Sequence, residues 1–179
     1  MKTESHTEAW YAITTKFKCE KYVAGVLRRV GFETYVPLLR KTRRYTRKIK
    51  TYEIPMISCY AFVKASEVDK TRILSVPYVH NFVRFDGKIV PVPEREMQMM
   101  RRVVGEISDV IAEPKYWRHG DRVEVIAGNL TGIEGILVEQ NGKHEFIIEL
   151  ETLGYQLRMV VDRSALRRVR QSGALAVGF

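Results

Sequence analysis

The sequence predicts an α+β domain followed by a small SH3-like β barrel, and three observations carry that prediction. Apolar residues recur at helical spacing in separate stretches of the first part of the chain, with extended β-branched and aromatic runs between them. Residues 119–169 hold short apolar alternations punctuated by glycine. The segment between them, with Pro114, has little periodicity. The expected boundaries are 1–107 for the α+β domain, 108–118 for a linker whose end Trp117 pins to the barrel, 119–170 for the barrel, and 171–179 for a mobile tail without caps or pattern.

Trp10 to Thr14 reads as an apolar strand. Val23, Val26, Leu27 and Val30 follow at i, i+3, i+4 and i+7, one buried helical face, and Gly31 stops that helix. Phe32 to Leu39 is strand-like, with Pro37 placing it at an edge or a strand end. A basic hairpin or loop comes next, then extended chain at Ile54 to Ile57 and Tyr60 to Lys64. Ser66 with Asp69 three residues on forms a capping box that opens a short helix reaching Ser75. Val79 to Phe85 is the next strand, Asp86-Gly87 a turn, and Ile89 to Val92 its partner. Pro93-Glu94 starts a helix in which Met97, Met100 and Val104 share a face.

In the second half, Val123 and Val125 alternate with Arg122 and Glu124, the period of a half-buried strand. Gly128 and Gly132 bracket a loop, and Gly135 interrupts the next apolar run, where a missing side chain lets a strand bend or another backbone approach. Asn141-Gly142 is a strong hairpin signal leading into His144 to Leu150; Leu157 to Val161 returns before Leu166 and Val169. Five short strands in about fifty residues bury most by closing into a barrel.

The 179 residues, 45% apolar and 28% charged, describe a chain of ordinary globular composition with room for two modest domains. No apolar run approaches the roughly 18 residues needed to span a bilayer, and the polar start from Met1 to Trp10 does not read as a signal peptide, so a cytoplasmic protein without membrane partners is expected. Cys19 and Cys59 stand without a C-x-x-C or clustered histidines, which points to reduced thiols rather than a disulfide framework or a zinc site. The histidines are scattered at 6, 80, 119 and 144, and no phosphate-binding loop, nucleophile elbow or zinc-protease motif occurs, so neither catalysis nor a cofactor is expected.

The net charge of +9 is unevenly placed: residues 1–113 carry 21 Lys and Arg against 13 Asp and Glu, whereas residues 114–179 carry 9 against 8. Within the first part, Arg40 to Lys50 has seven cations, no acid and a central Tyr45. Such a segment suits a polyanion, the alternative being a solvated basic loop without a partner.

Trp10-Tyr11, Tyr35-Val36-Pro37, Tyr60-Ala61-Phe62-Val63, Val79 to Arg84, Pro91-Val92-Pro93 and the glycine-punctuated run from His119 to Glu139, which looks like a KOW module, together resemble the NusG family of transcription elongation factors over nearly the whole chain. The resemblance implies an N-terminal NGN domain that binds RNA polymerase and a KOW barrel that recruits partners such as a ribosomal protein or the termination factor Rho. It also implies a monomer that opposes pausing and, in specialised members, processive antitermination. Two departures stand out. Ser58-Cys59-Tyr60 replaces the family's usual Pro-Gly-Tyr turn, and Asn129-Leu130-Thr131 in the KOW partner loop lacks the Pro and Phe often seen in the housekeeping factor, which speaks against Rho recruitment. With the basic hairpin, these features make the chain most similar to the UpxY-type antiterminators of capsular polysaccharide operons.

On that resemblance, Tyr11, Tyr60, Phe62, Phe82 and Phe85 are candidates for an aromatic patch on the polymerase clamp, against the alternative that they are sheet core; Tyr60 and Phe62, two apart, share a face. Lys70, Thr71 and Arg72 fall where family members touch the opposite pincer of the polymerase cleft, or are exposed turns of a short helix. Lys16, Lys18, Tyr22 and Arg29 fall where specialised members read non-template DNA, cations meeting phosphates and an aromatic stacking on a base. Arg43, Arg44, Arg47 and Lys48 in the hairpin are candidates for contact with DNA or nascent RNA. The competing function is a KOW-containing RNA-binding or ribosome-associated protein, in which the basic half grips RNA.

Overall fold

A computed structural model describes residues 7–106, 109–115, 120–140 and 143–169. The expectations resting on Trp117, on the Asn141-Gly142 turn itself and on the tail 171–179 lie outside these residues. The first domain runs β1 (Ala9–Thr15), α1 (Glu20–Arg29), β2 (Glu33–Tyr35), β3 (Leu38–Tyr45), β4 (Lys48–Pro55), β5 (Tyr60–Ala65), α2 (Lys70–Leu74), β6 (Val79–Phe82), β7 (Arg84–Phe85), β8 (Lys88–Ile89) and α3 (Glu94–Glu106). Its sheet has the order β2-β5-β1-β6, and the described pairings are antiparallel.

Alternation along β1 and β5 splits the sheet into two faces. Tyr11 and Ile13 lie opposite Val63 and Ala61, and all four join a core with Val23 and Leu27 of α1, Ile73 of α2, and Phe82. Trp10, Ala12 and Phe62 point the other way, into a core with Met97, Met100 and Val103 of α3. The expected helical face is therefore present in α1, although Val30 is its exposed C-terminal boundary rather than part of the buried stripe. Gly31 closes the helix at φ 101°, donating to the Arg28 carbonyl while Phe32 donates to that of Leu27; this paired turn wants a left-handed residue that glycine adopts without a Cβ clash. The Ser66–Asp69 capping box forms and opens a single 3₁₀ turn that runs into α2.

The second domain comprises β9 (Ile111–Pro114), β10 (Asp121–Val125), β11 (Glu134–Gln140), β12 (Lys143–Leu150), β13 (Tyr155–Met159) and β14 (Leu166–Arg168). They form one antiparallel sheet in the order β14-β10-β11-β12-β13-β9. Among the described residues six strands thus replace the five expected. The extra one corrects the reading of residues 108–118 as a linker: Ile111 to Pro114 pair with Arg158 to Tyr155, satisfying an edge of β13. At Gly135 a Cβ would sit 2.4 Å from the Ile147 carbonyl oxygen and 2.6 Å from the Phe146 ring, so close approach of β12 requires glycine there.

The α3 core continues without a break into Ile133, just before β11, and Val123, Val125, Phe146, Ile148, Leu150, Leu157 and Met159 of the second sheet. The two domains therefore bury one shared apolar cluster, which nothing in the sequence periodicity announced. Among the described residues no helix is long and apolar enough to cross a membrane.

Candidate functional site

The α3 side of the first sheet carries Tyr60 and Phe62, and the second domain covers it. Tyr60 is half-buried, its ring meeting that of Tyr155 at 5.4 Å and 67°; burial, then Tyr155, push its phenol pKa above the ordinary value. Phe62 is fully buried beneath it, and Tyr11 and Phe82 meet edge-to-face at 5.9 Å in the opposite core. The expectation of a five-membered exposed patch is corrected accordingly: Tyr11, Phe62 and Phe82 are core. Phe85, 52% exposed, and Tyr60 are the members near the surface. The core alternative won at Tyr11 and Phe62 because β1 and β5 are central strands with both faces covered, and at Phe82 because its ring packs on Tyr11 from the edge strand β6.

Polar contacts fasten the domains. Arg102 on α3 donates from Nε to the Asn129 carbonyl (2.7 Å) and from Nη2 to the Thr131 carbonyl (2.6 Å). Glu96, 1% exposed, accepts from the Thr152 backbone N–H at 3.1 Å, while its other carboxylate oxygen has no hydrogen-bond partner among the described residues. Burial raises its pKa, with the Thr152 hydrogen bonds opposing. Of the KOW loop candidates, Asn129 and Thr131 are exposed but tied through their carbonyls to Arg102, and Leu130 is buried in the shared core, a correction to its placement on a partner-facing loop. The cleft beside α3, about 410 Å³, sets Arg95, Arg102 and Arg122 against Glu134, Glu149 and Glu151, so it has no dominant charge with which to draw a ligand.

Lys70, Thr71 and Arg72 lie on α2. Lys70 pairs with Glu67 and sits 5.0 Å from the Tyr11 ring centroid; Glu67 also accepts from the Tyr11 hydroxyl, and the Lys70 hydrogen bond, followed by Tyr11, lowers its pKa. Burial, then Glu67, raise that of Tyr11. Arg72 donates to the Val30 carbonyl at 2.8 Å and lies over Phe32, while Thr71 is exposed. Lys70 and Arg72 are thus held by the fold, which favours positioned cations over freely solvated ones.

Three loops meet where α1 begins. Thr15 donates to the Cys59 carbonyl (2.8 Å), Lys16 to that of Tyr78 (2.9 Å), and Cys59 to the buried Glu20 carboxylate (2.7 Å). Lys18, Cys59 and Tyr78 all adopt positive φ, 63°, 64° and 71°, a conformation that costs a non-glycine residue and persists only where surroundings impose it. Cys59 thereby holds a left-handed turn although Ser58-Cys59 replaces Pro-Gly. The convergence gathers Lys16 and Lys18 with Tyr22, and adds two residues that sequence reasoning missed, Phe17 (61% exposed) and Tyr78 (48% exposed). Tyr22 and Tyr78 meet at 5.5 Å, Lys16 Nζ lies 5.5 Å from the Tyr78 ring, and Lys18 Nζ 5.2 Å from that of Phe17. Exposed rings flanked by ammonium groups suit unpaired bases and their phosphates. Arg29 is not part of this group: it sits in the last turn of α1, donating to the Gly25 carbonyl.

The basic segment forms a two-stranded ribbon, Leu38–Tyr45 against Lys48–Pro55, with Tyr45 opposite Lys48. Arg43, Arg44, Arg47 and Lys48 are all exposed on it. At its root, Lys41 Nζ meets Asp109 at 2.7 Å and Glu53 meets Lys21 of α1 at 3.2 Å. Tyr35 lies beneath Arg101, and burial, opposed by that arginine, pushes its pKa to about 12. Among the described residues no group of three or more His, Cys, Asp or Glu side chains comes together to hold a metal.

The family model described as "Transcription termination factor nusG" matches residues 8–101. A solved structure, "Domain interaction in Thermotoga maritima NusG", is similar over 92% of this chain and 98% of that chain, with 22% identity and a TM-score of 0.53, a likeness of fold. The MjSpt4:Spt5 complex in conformations A and B is also similar, with 18% identity over 89% and 92% of this chain and 97% and 99% of those chains; TM-scores of 0.30 and 0.31 are too low to bear on the fold. With more than half its length matched by the family model, this chain belongs to the NusG family of non-enzymatic transcription factors.

Proposed function

We propose that this chain is an elongation and antitermination factor that binds RNA polymerase through its first domain and recruits a partner through its KOW domain. The observation that carries this reading is the α3 side of the first sheet, where the second domain covers Tyr60 through Tyr155, while Phe85 stays exposed. Rigid aromatics lose little entropy on docking, so they suit the core of an interface. Separation of the domains frees Tyr60 and, in the same movement, the Asn129 and Thr131 carbonyls held by Arg102. The polymerase face and the KOW loop then become available together. Phe85 and Tyr60 meet the polymerase clamp, Lys70, Thr71 and Arg72 meet the opposite side of the cleft, and the bridge favours the closed polymerase by population shift.

The cluster at the start of α1 reads the exposed non-template strand, with Lys16 and Lys18 on phosphates and Tyr22, Phe17 and Tyr78 as stacking surfaces; Arg29, at the far end of the helix, contributes charge only. The altered KOW loop and this surface together support a specialised factor acting on a limited set of long operons, surface polysaccharide clusters among them, with a ribosomal protein rather than Rho as KOW partner. The competing reading, an RNA-binding or ribosome-associated protein, leaves the covered aromatic surface unexplained. Affinity purification of the tagged chain separates the two. Copurification with RNA polymerase is expected, and recovery with ribosomal subunits in place of polymerase would overturn the proposal. For operon choice, deletion should deplete promoter-distal transcripts of a few long operons; uniform loss across the genome would instead mark a housekeeping factor.

A further inference from the structure

The β3–β4 ribbon has two chemically different faces. Cross-strand register pairs Lys41 with Tyr52, Arg43 with Lys50 and Tyr45 with Lys48, and all six lie on one face. That face holds four cations and two aromatic rings and no ribbon carboxylate, with Arg43 5.4 Å from the Tyr45 ring centroid. The opposite face pairs Arg40 with Glu53, Thr42 with Thr51 and Arg44 with Ile49; its Glu53 is occupied by Lys21, and its threonine hydroxyls lie 3.4 Å apart. Every residue from Thr42 to Ile54 is exposed, so no core pays for the order of the ribbon. Like charges directly opposite each other destabilise a strand pair, and Arg43 faces Lys50. A polyanion placed on this face removes that repulsion.

We propose that the face bearing Lys41, Arg43, Tyr45, Lys48, Lys50 and Tyr52 docks in the major groove of B-form duplex DNA. The inference deepens the nucleic-acid reading of the hairpin given above by naming the face and the form of nucleic acid. A two-stranded ribbon fits the B-form major groove, about 12 Å wide, whereas the deep, narrow major groove of A-form RNA does not admit side chains. The cations stand on both strands of the ribbon, Lys41 and Arg43 on β3, Lys48 and Lys50 on β4, so their long side chains reach both walls of a groove. A single strand offers only one line of phosphates. Lys41, half-buried and paired with Asp109, anchors the root, and the other three cations carry the phosphate contacts.

The test measures the full chain, without polymerase, against a short DNA duplex, an RNA duplex and a DNA single strand of matching sequence, across a salt series. Two triple variants make the same change in charge: R43Q/K48Q/K50Q on the docking face, and R40Q/R44Q/R47Q on the other face and tip. The first should weaken duplex DNA binding at least about tenfold and reduce the salt slope by roughly 2.7, about 0.9 per lost phosphate contact; the second should reduce it by less than about 1. Equal losses in both variants would overturn the proposal, because they would mean a diffuse field without a docking face. An RNA duplex or DNA single strand losing as much affinity as the DNA duplex in the first variant would also overturn it. Because polymerase is absent, neither outcome bears on polymerase recruitment, which the copurification experiment decides separately.

Discussion

Phe62→Ala should destabilise the protein, because the structure makes this residue core where the family resemblance suggests contact. Its side chain has no exposed surface; its backbone register partner is Ala12, and the Tyr35 ring lies 6.4 Å away. Removing a fully buried phenyl ring loses its transfer free energy and leaves a cavity, together about 3–5 kcal/mol. In a chain of this size each kcal/mol moves Tm by roughly 2–4 °C, so a fall of roughly 10 °C is expected in thermal unfolding followed by circular dichroism. Tyr60→Ala, two residues away, forfeits a half-buried ring and one edge-to-face contact, about 1 kcal/mol beyond its area, and should shift Tm by only a few degrees. A Phe62→Ala protein with wild-type Tm that no longer binds polymerase would refute the partition, since it would make Phe62 a contact residue.

Three further outcomes follow from the same geometry. Glu96, whose pKa is raised by burial, favours the packed fold when protonated, so its contribution is full below the ordinary value of 4.5 and is lost as pH rises through the raised value. Glu96→Gln should therefore raise Tm at neutral pH by a few degrees, about 1 kcal/mol, and flatten the dependence of Tm on pH above 4.5; an unchanged profile would show that Glu96 is not desolvated. Arg102→Ala removes two charge-assisted hydrogen bonds across the domain interface, about 1.5 kcal/mol after allowance for partial exposure, and should shift the population toward separated domains about tenfold in small-angle scattering or interdomain fluorescence transfer. Unaltered interdomain distances would sink it. Phe17→Ala with Tyr78→Ala, both on the surface, should leave the fold intact and weaken single-stranded DNA binding at least about tenfold in a titration, and equal affinity would remove the platform from the nucleic-acid surface.

Local pattern made much of this fold legible. The spacing of Val23, Val26 and Leu27 specified α1, the Ser66–Asp69 pair the capped turn before α2, and Met97 with Met100 the buried stripe of α3, because each depends on residues within two helical turns of one another. The cation run from Arg40 likewise marked the ribbon. What escaped was decided by distant partners. Ile111 to Pro114 is too short to show a period and becomes a strand only because Tyr155 to Arg158 offers an open edge. Tyr22 and Tyr78 are separated along the chain and meet beside the Lys16–Tyr78 backbone bond and two left-handed residues, Lys18 and Tyr78, neither of which leaves a composition signal. Alternation correctly grouped Tyr60 with Phe62, but it could not say that α3 and the second domain would cover that face.

The most direct test of the central claim is a titration of the full chain and its Tyr60→Ala/Phe85→Ala variant into the isolated helical coiled coil of the polymerase clamp. An interface aromatic typically contributes about 2 kcal/mol or more, so the double variant should bind at least about thirtyfold more weakly while keeping wild-type circular dichroism. Wild-type affinity in that variant, or no binding by the full chain either unaltered or carrying Arg102→Ala, would contradict the assignment of this face to RNA polymerase.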